Sequence, residues 1–212
     1  MKHLCTIFML LLTVACGRSI FKSKWVKEKS PDIFDVRFET SKGPFDIKVN
    51  REWSPKAADR FYQLIKHGFY DHGIFYRVDS HFVAQFGISD TIKISKWEKF
   101  KVSDEHTIYG NKKGALSFAR AGKESRGREL FINLADNSFL DTLDYGGVKG
   151  FPAFGMVTRG MDVVDSLYAG YGDATMTKLD TLYLNRQRFS AIFPKCDTIS
   201  KAWLLKSRKV KQ

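Results

Sequence analysis

The stretch of sequence most informative about the fold is residues 68–87, which reads GFYDHGIFYRVDSHFVAQFG. It contains two short apolar runs, residues 74–78 and residues 82–86, separated by the polar turn Asp-Ser-His. Runs of this length, bounded by Gly and Asp and rich in aromatic and β-branched residues, are typical of buried β-strands. The stretch therefore predicts two strands, with Arg77 inside the first and Gln85 inside the second.

The sequence on either side of this stretch continues the strand pattern. Residues 34–40 and 45–49 each alternate apolar and polar positions around a Ser-Lys-Gly turn, which predicts a β-hairpin. Further strands are predicted at residues 115–119, 130–134 and 154–157, and residues 200–205 are a candidate for the closing strand.

Two helices interrupt the predicted strands. Ser54 and Pro55 are residue types preferred at an N-cap and at the first helical position, and an apolar stripe with 3.6-residue spacing follows them as far as Gly68. A shorter helix is predicted at residues 162–168. Many short strands with two helices predict a mainly β protein, a closed and mostly antiparallel barrel whose ends the helices cover.

The composition is that of a folded globular chain. Of its 212 residues, 43% are hydrophobic and 14% are aromatic, which suits one core and excludes a disordered or collagen-like chain. Three Cys residues are too few for a disulfide scaffold. The five His residues have no metal-ligand spacing, and no Ser or Cys nucleophile arrangement is visible, so neither a metal nor another cofactor is expected.

The N-terminal stretch predicts export. Residues 1–15 combine a basic start, an apolar run too short to span a bilayer, and small residues before Cys16, as in a secretory leader. Cys16 stands where bacterial lipoproteins carry their lipid, which predicts a periplasmic, membrane-anchored lipoprotein; cleavage without lipidation is the alternative. The predicted organisation is a signal peptide at 1–15, a lipidated, charged spacer at 16–32, one domain at 33–206 and a basic tail at 207–212.

The chain is strongly basic, with a formal net charge of +12. Its Lys residues are scattered and no nucleic-acid-binding motif surrounds them, so a basic solvated surface is favoured and nucleic acid is not expected as a partner. A surface adhesin that binds an anionic polymer is an alternative consistent with this charge.

Residues 68–87 resemble the signature segment of the cyclophilin family of peptidyl-prolyl cis-trans isomerases. Later blocks agree in the same order: residues 114–120 and 129–137 are similar to the family's central strands, and residues 154–165 to the strand before its last helix. The resemblance implies a closed eight-stranded antiparallel barrel capped by two α-helices. It also implies an enzyme that acts on proline-containing polypeptide segments, and a monomer is expected.

The resemblance further implies which residues form the site. Arg77 is expected to be catalytic, because its guanidinium is always charged and its fork of donors can reach the substrate carbonyl and the prolyl nitrogen. Gln85 is expected to orient Arg77 and to bind the substrate backbone. By the same resemblance the proline-ring pocket consists of Phe82, Phe131 and Leu140, with Val83 beside them. The other substrate-binding residues implied are Tyr76, Ala119, Arg120, Glu129, Phe139 and Phe151.

Six residues depart from the family's most usual pattern: Tyr76, Phe86, Glu129, Leu130, Phe139 and Phe151. Tyr76 stands where His is typical, Phe86 where Gly is common, and Glu129 where Gln is usual. The departures leave Arg77 intact, so the main hypothesis is an isomerase that assists the folding of exported proteins. They also leave open a proline-segment binding module or chaperone with weak or no turnover.

Overall fold

The structure is a computed structural model that describes residues 21–88 and 96–205. The predicted leader, the predicted lipid-attachment residue Cys16 and the predicted basic tail lie outside the described residues. Within the described ranges, no helix combines the length and the apolar character needed to cross a bilayer.

Eight strands form a closed antiparallel barrel, which confirms the predicted fold class. In chain order they are β1 (Ile33–Thr40), β2 (Gly43–Asn50), β3 (Gly73–Val78), β4 (Val83–Phe86), β5 (Ala115–Phe118), β6 (Leu130–Asn133), β9 (Ala153–Arg159) and β10 (Thr198–Leu204). Between β6 and β9, the short strands β7 (Asp144–Tyr145) and β8 (Val148–Lys149) form a separate two-stranded sheet. Around the barrel the order is β1, β10, β3, β4, β6, β5, β9, β2, so β10 is the closing strand.

The predicted hairpin is formed by β1 and β2. Their alternation places every second side chain in the barrel core, and Phe38 pairs with Phe45 across the two strands. These two rings stack with centroids 5.0 Å apart. Gly43 adopts a φ of +116°, a backbone conformation that residues with a side chain rarely adopt. Glycine at this position therefore allows the tight connection between the strands.

Helix α1 (Pro55–Lys66) is the first predicted helix, but its N-terminus is capped differently from the prediction. The Ser54 side chain caps no helix amide; its hydroxyl donates to Glu105. The Glu105 carboxylate accepts the amide N–H groups of Lys56, at 2.8 Å, and Ala57, at 3.2 Å. At the helix N-terminus a carboxylate satisfies amides that have no partner within the helix, and it faces the positive end of the helix dipole. The cap is therefore supplied by Glu105, about fifty positions away in the sequence.

The second predicted helix is shorter than residues 162–168. Helix α2 spans Met161–Asp165, and the amide of Tyr168 donates to the Asp197 carboxylate at 2.7 Å instead of continuing the helix. The prediction of its C-terminal end was wrong because this competing acceptor lies far away in sequence.

Residues 172–192 lie between α2 and β10 and form a helical segment, called the insertion below, that the sequence pattern did not predict. It begins with a 3-10 helix (Asp173–Lys178) and continues as helices α3 (Leu179–Leu184) and α4 (Arg186–Ile192). Leu182 and Phe189 are buried and join the main core. The insertion therefore belongs to the folded domain.

The described part of the predicted spacer also packs against the domain. Ser23–Lys27 forms a 3-10 helix whose Trp25 is 8% exposed. The Trp25 ring stacks on His67 of the α1 C-terminus, with centroids 3.8 Å apart. Phe21 meets Trp97 edge-on at 5.1 Å. The domain contacts therefore extend N-terminally of β1.

Aromatic rings dominate the barrel core. Phe38, Phe61, Tyr70 and Phe86 are almost fully buried, and their ring centroids lie between 5.6 and 6.3 Å apart. A second, smaller cluster of buried apolar residues lies apart from this core, against β4 and β6. That second cluster marks the site described next.

Candidate active site

A cleft of about 290 Å³ opens on the outer face of the barrel. Its apolar base is the second cluster, in which Val83, Phe131, Leu140 and Phe151 are all less than a tenth exposed. Phe82 packs against this cluster and forms part of the cleft wall. The result is an apolar slot wide enough for a small ring.

The strand register brings the slot together. Val83 and Gln85 lie on the same side of β4, and Gln85 pairs with Phe131 of the neighbouring strand β6. Leu140 comes from a 3-10 helix at Ser138–Asp141, and its backbone carbonyl accepts the amide of Phe151 at 2.9 Å. Residues far apart in sequence therefore line one pocket.

Arg77 lies at the edge of this slot, as predicted. It pairs with Gln85 across β3 and β4, and its Nη1 donates to the Gln85 Oε1 at 3.4 Å. Its guanidinium carbon lies 5.3 Å from the centroid of the Phe82 ring, in a cation–π contact. A fixed positive charge thus stands beside an apolar pocket, where reduced water strengthens its field.

Asp173 is a partner of Arg77 that the sequence did not predict. Its Oδ1 accepts Arg77 Nε at 2.6 Å, and its Oδ2 accepts Nη2 at 3.3 Å. Asp173 comes from the insertion at residues 172–192, which is joined to β3 by a bridge between Val78 and Gly172. The carboxylate is 66% exposed, so the ion pair stands on the solvent side of the guanidinium.

Arg120 forms a rigid part of the cleft wall. Its Nη1 donates to the carbonyl of Gly150 and its Nη2 to that of Val148, the latter at 2.6 Å. Its guanidinium lies 4.0 Å from the Phe151 ring centroid, and burial lowers its pKa. Ala119, beside it, lines the cleft while its amide donates to the Glu129 carbonyl.

Tyr76, which was predicted to contact substrate, does not line the cleft. Successive side chains of a strand point to opposite faces, and Tyr76 is fully buried while its neighbour Arg77 is accessible. Its hydroxyl donates to Glu129 Oε2 at 2.6 Å, and burial raises its pKa well above the usual value for tyrosine.

Glu129 lies outside the cleft as well, on a neighbouring pocket of about 400 Å³. Its other carboxylate oxygen accepts the Tyr183 hydroxyl at 2.8 Å and lies 3.1 Å from Arg128 Nη1. Burial raises the pKa of Tyr183 to about 12, so the phenol remains a donor. The neighbouring pocket shares Gln85 with the cleft, as well as Ala119 and Arg120.

The remaining predicted residue, Phe139, lies at the rim of the cleft and stacks on Phe82 with centroids 6.0 Å apart. Three lining residues were missed by the sequence analysis: Leu143, Tyr145 and Met176. The first two flank or belong to the small β7–β8 sheet, and Met176 belongs to the insertion. No local pattern marks them.

Among the described residues, no cluster of three His, Cys, Asp or Glu side chains could hold a metal ion.

Solved structures share this architecture. The chain is similar to a cyclophilin-type peptidyl-prolyl cis-trans isomerase of Cryptosporidium parvum, with a TM-score of 0.55 and 19% identity. That match covers 83% of this chain and 99% of the other.

Sequence comparisons agree. The family model described as cyclophilin type peptidyl-prolyl cis-trans isomerase/CLD matches residues 35–184. A peptidyl-prolyl cis-trans isomerase of Acinetobacter baylyi is 33% identical over 134 residues, 62% of this chain and 70% of that protein. Peptidyl-prolyl cis-trans isomerase B of Escherichia coli is 32% identical over 138 residues, 62% of this chain and 82% of that protein. The family model spans most of the chain and every major element of the barrel except β10, so the protein belongs to the cyclophilin family of peptidyl-prolyl cis-trans isomerases.

Proposed function

We propose that this isomerase lowers the barrier to prolyl rotation by donating hydrogen bonds from Arg77 to the twisted amide. Resonance keeps the planar amide stable, and rotation costs about 18–20 kcal/mol without a catalyst. In the twisted state the prolyl nitrogen loses conjugation and can accept a hydrogen bond. A donor that binds this state better than the planar one accelerates rotation, and no covalent bond has to break.

The observation that supports this mechanism is the position of Arg77 at the edge of an apolar slot lined by aromatic rings. A proline ring seated between Phe82 and Phe131 would bring its nitrogen towards the guanidinium. Gln85, which accepts from Arg77 Nη1, would keep that donor directed along the cleft. A factor of 10⁵ in rate requires about 7 kcal/mol, which oriented charge and exclusion of water together can supply.

The test compares Arg77→Ala with Arg77→Lys in a prolyl-peptide isomerisation assay. Loss of a charged donor at a reacting centre costs about 10² to 10³ in rate, so we expect Arg77→Ala to lose at least that much from kcat/KM. Arg77→Lys keeps the charge without the planar fork, so its kcat/KM should lie between that of the wild type and that of Arg77→Ala. Arg159→Ala, which removes an exposed charge from β9, is the control. A kcat/KM that is unchanged in folded Arg77→Ala would exclude the mechanism.

We also propose that the enzyme acts outside the cytoplasm on exported polypeptides, as a monomer tethered through a lipid on Cys16. Support comes from the leader-like residues 1–15 and the small residues before Cys16. Mass spectrometry of the processed amino terminus tests this directly. A diacylated Cys16 at the amino terminus is the expected result. An unmodified Cys16 there would support export but contradict the lipid tether, and an intact Met1 would contradict both export and the tether.

One observation favours the second candidate, a proline-segment binding module with weak turnover. Asp173 already occupies Arg77 Nε and Nη2, which leaves fewer donors for substrate. NMR titration with an Ala-Pro peptide separates the two functions. Exchange between the cis and trans peptide signals indicates turnover, whereas chemical-shift changes without exchange indicate binding alone.

A further inference from the structure

Helix α1 contains a buried arginine that has no acidic partner among the described residues. Arg60 of α1 is 5% exposed, and no carboxylate among the described residues lies within ion-pair distance of it. Its Nη1 donates to the carbonyls of Phe100 and Gly127, and its Nε to Gln63 Oε1 at 3.2 Å. Its guanidinium lies 5.4 Å from the Trp97 ring centroid. Neutral acceptors and an aromatic face therefore surround the charge.

Such a charge is unusual, because buried guanidinium groups are normally paired with carboxylates. Burial lowers the pKa of Arg60 to about 10, which still leaves it ionised at neutral pH. The protein thus maintains a desolvated positive charge that no anion of the described chain balances.

Arg60 lines a pocket of about 280 Å³ that also contains several lysines. The pocket is bounded by residues 26–29, by α1, and by residues 101–103. Lys27, Lys29 and Lys56 line it, and none of them has an ion-pair partner among the described residues. Together with Arg60 they give the pocket four uncompensated positive charges.

The two acids of the pocket are already engaged. Glu28 pairs with Lys66 and lies 3.1 Å from His67 Nε2. Asp59 pairs with Arg51 at 2.8 Å and accepts two hydrogen bonds from Ser30. Neither carboxylate neutralises Arg60 or the three lysines.

We propose that this pocket binds a phosphate group, carried either by a soluble phosphate ester or by the headgroup of an anionic lipid. Phosphate offers acceptor oxygens to Arg60 Nη2, which takes no part in the hydrogen bonds to Phe100, Gly127 and Gln63, and to the point charges of the lysines. The pocket is large enough for a phosphate ester. Residue 26 follows Cys16 by ten positions, a chain length that spans at most about 35 Å. If Cys16 carries a lipid, the pocket is within reach of the membrane surface, and this clause alone rests on the proposed tether.

The test uses the chain processed after Ala15 and carrying Cys16→Ser, so that no acyl chain contributes to binding. Inorganic phosphate is titrated while amide resonances are followed by NMR. Vesicles of phosphatidylglycerol, with phosphatidylcholine vesicles as reference, are tested by co-sedimentation. The pocket variant combines Lys27→Gln, Lys29→Gln and Lys56→Gln. The control variant removes the same charge from exposed sites elsewhere, with Lys48→Gln, Lys195→Gln and Lys201→Gln.

We expect inorganic phosphate to shift the resonances of pocket residues, and the pocket variant to lose affinity at least about tenfold while the control keeps it. Arg60→Gln should lose affinity similarly, and the lysine variant carries the test if Arg60→Gln does not fold. Phosphate binding without vesicle binding assigns a soluble ester, and vesicle binding that the pocket variant loses assigns a lipid headgroup. The proposal would be overturned if neither phosphate nor vesicles bound, or if the pocket and control variants lost affinity equally. Isomerase activity of the pocket variant should equal that of the control, which separates this result from the proposed mechanism.

Discussion

At the scale of single residues, the guanidinium of Arg77 is divided between two acceptors. Gln85 accepts from Nη1 inside the cleft, while Asp173 accepts from Nε and Nη2 on the solvent side. Donors held by a carboxylate are less available to a substrate carbonyl. The pair is exposed on the Asp173 side, so its free energy is small and sensitive to salt.

Removing the charge of Asp173 should therefore raise activity. Exposed ion pairs contribute about 0.2–1 kcal/mol, so we expect Asp173→Asn to increase kcat/KM by up to about fivefold. Added salt should raise the wild-type rate and leave the variant's rate almost unchanged. Both are measured in the prolyl-peptide assay across a salt series.

Asp180→Asn is the matched control, since Asp180 is an exposed carboxylate of the same insertion. A kcat/KM for Asp173→Asn below the wild-type value would show the opposite role, in which the carboxylate holds Arg77 in its productive orientation.

At the scale of elements, the 3-10 helix Ser23–Lys27 is held to α1 by a ring stack and by a hydrogen bond from Gln63 Nε2 to the Val26 carbonyl at 3.2 Å. Trp25 lies face to face with His67, at an interplanar angle of 7°. Two charged groups face the same imidazole: Glu28, within 3.1 Å, and Lys66, which pairs with Glu28. Burial lowers the pKa of His67, although the hydrogen bond to Glu28 opposes this shift.

Docking of this segment should weaken as the pH falls below about 6.5, the usual pKa of histidine. The docked state resists protonation of His67, whereas the undocked state binds the proton, so acid favours undocking. Hydrogen exchange of residues 23–27 and the ring proton shifts of Trp25 between pH 8 and pH 5 measure this. The pKa of Glu28 is lowered from 4.5, so its own titration falls outside this window.

His67→Phe keeps an aromatic ring without a titratable group and is the control for this experiment. Its docking should not respond to pH between 8 and 5. A response as large as that of the wild type would assign the effect to another group.

The insertion at residues 172–192 is the second element with consequences for the site. Leu182 and Phe189 secure it in the core, and Arg186 donates to the Gly73 carbonyl at 3.1 Å. Through this attachment it brings Asp173 to Arg77 and Met176 to the cleft. This one segment thus supplies both a charge and an apolar side chain to the site.

At the scale of the whole molecule, the folded unit includes residues N-terminal of the barrel. Trp25→Ala should destabilise it by about 3 kcal/mol, because replacing a large buried aromatic side chain leaves a cavity. For a domain of this size, that lowers Tm by about 6–12 °C.

Thermal unfolding of Trp25→Ala beside Lys24→Ala, an exposed residue of the same turn, measures the effect. An unchanged Tm in Trp25→Ala would mean that the segment acts as a spacer, as the sequence predicted for residues 16–32.

Much of the fold could be predicted from local patterns. Alternation in β1 and β2, and the short apolar runs of β3 to β6, depend on neighbouring residues and so are visible in sequence. Two features were not visible in the sequence: the capping of α1 by Glu105, and the early end of α2, after which the Tyr168 amide donates to Asp197. Each depends on an acceptor from a distant part of the chain.

The sequence by itself determined the closed barrel and, through family resemblance, the placement of Phe82, Phe131 and Arg77 around one cleft. Only the tertiary structure decided that Tyr76 is buried against Glu129, that Asp173 engages Arg77, and that Arg60 meets no anion within residues 21–88 and 96–205. The physical reason is the range of the interactions. Strand periodicity is set by the geometry of adjacent residues, whereas the pairing of charges depends on which distant segments meet when the barrel closes.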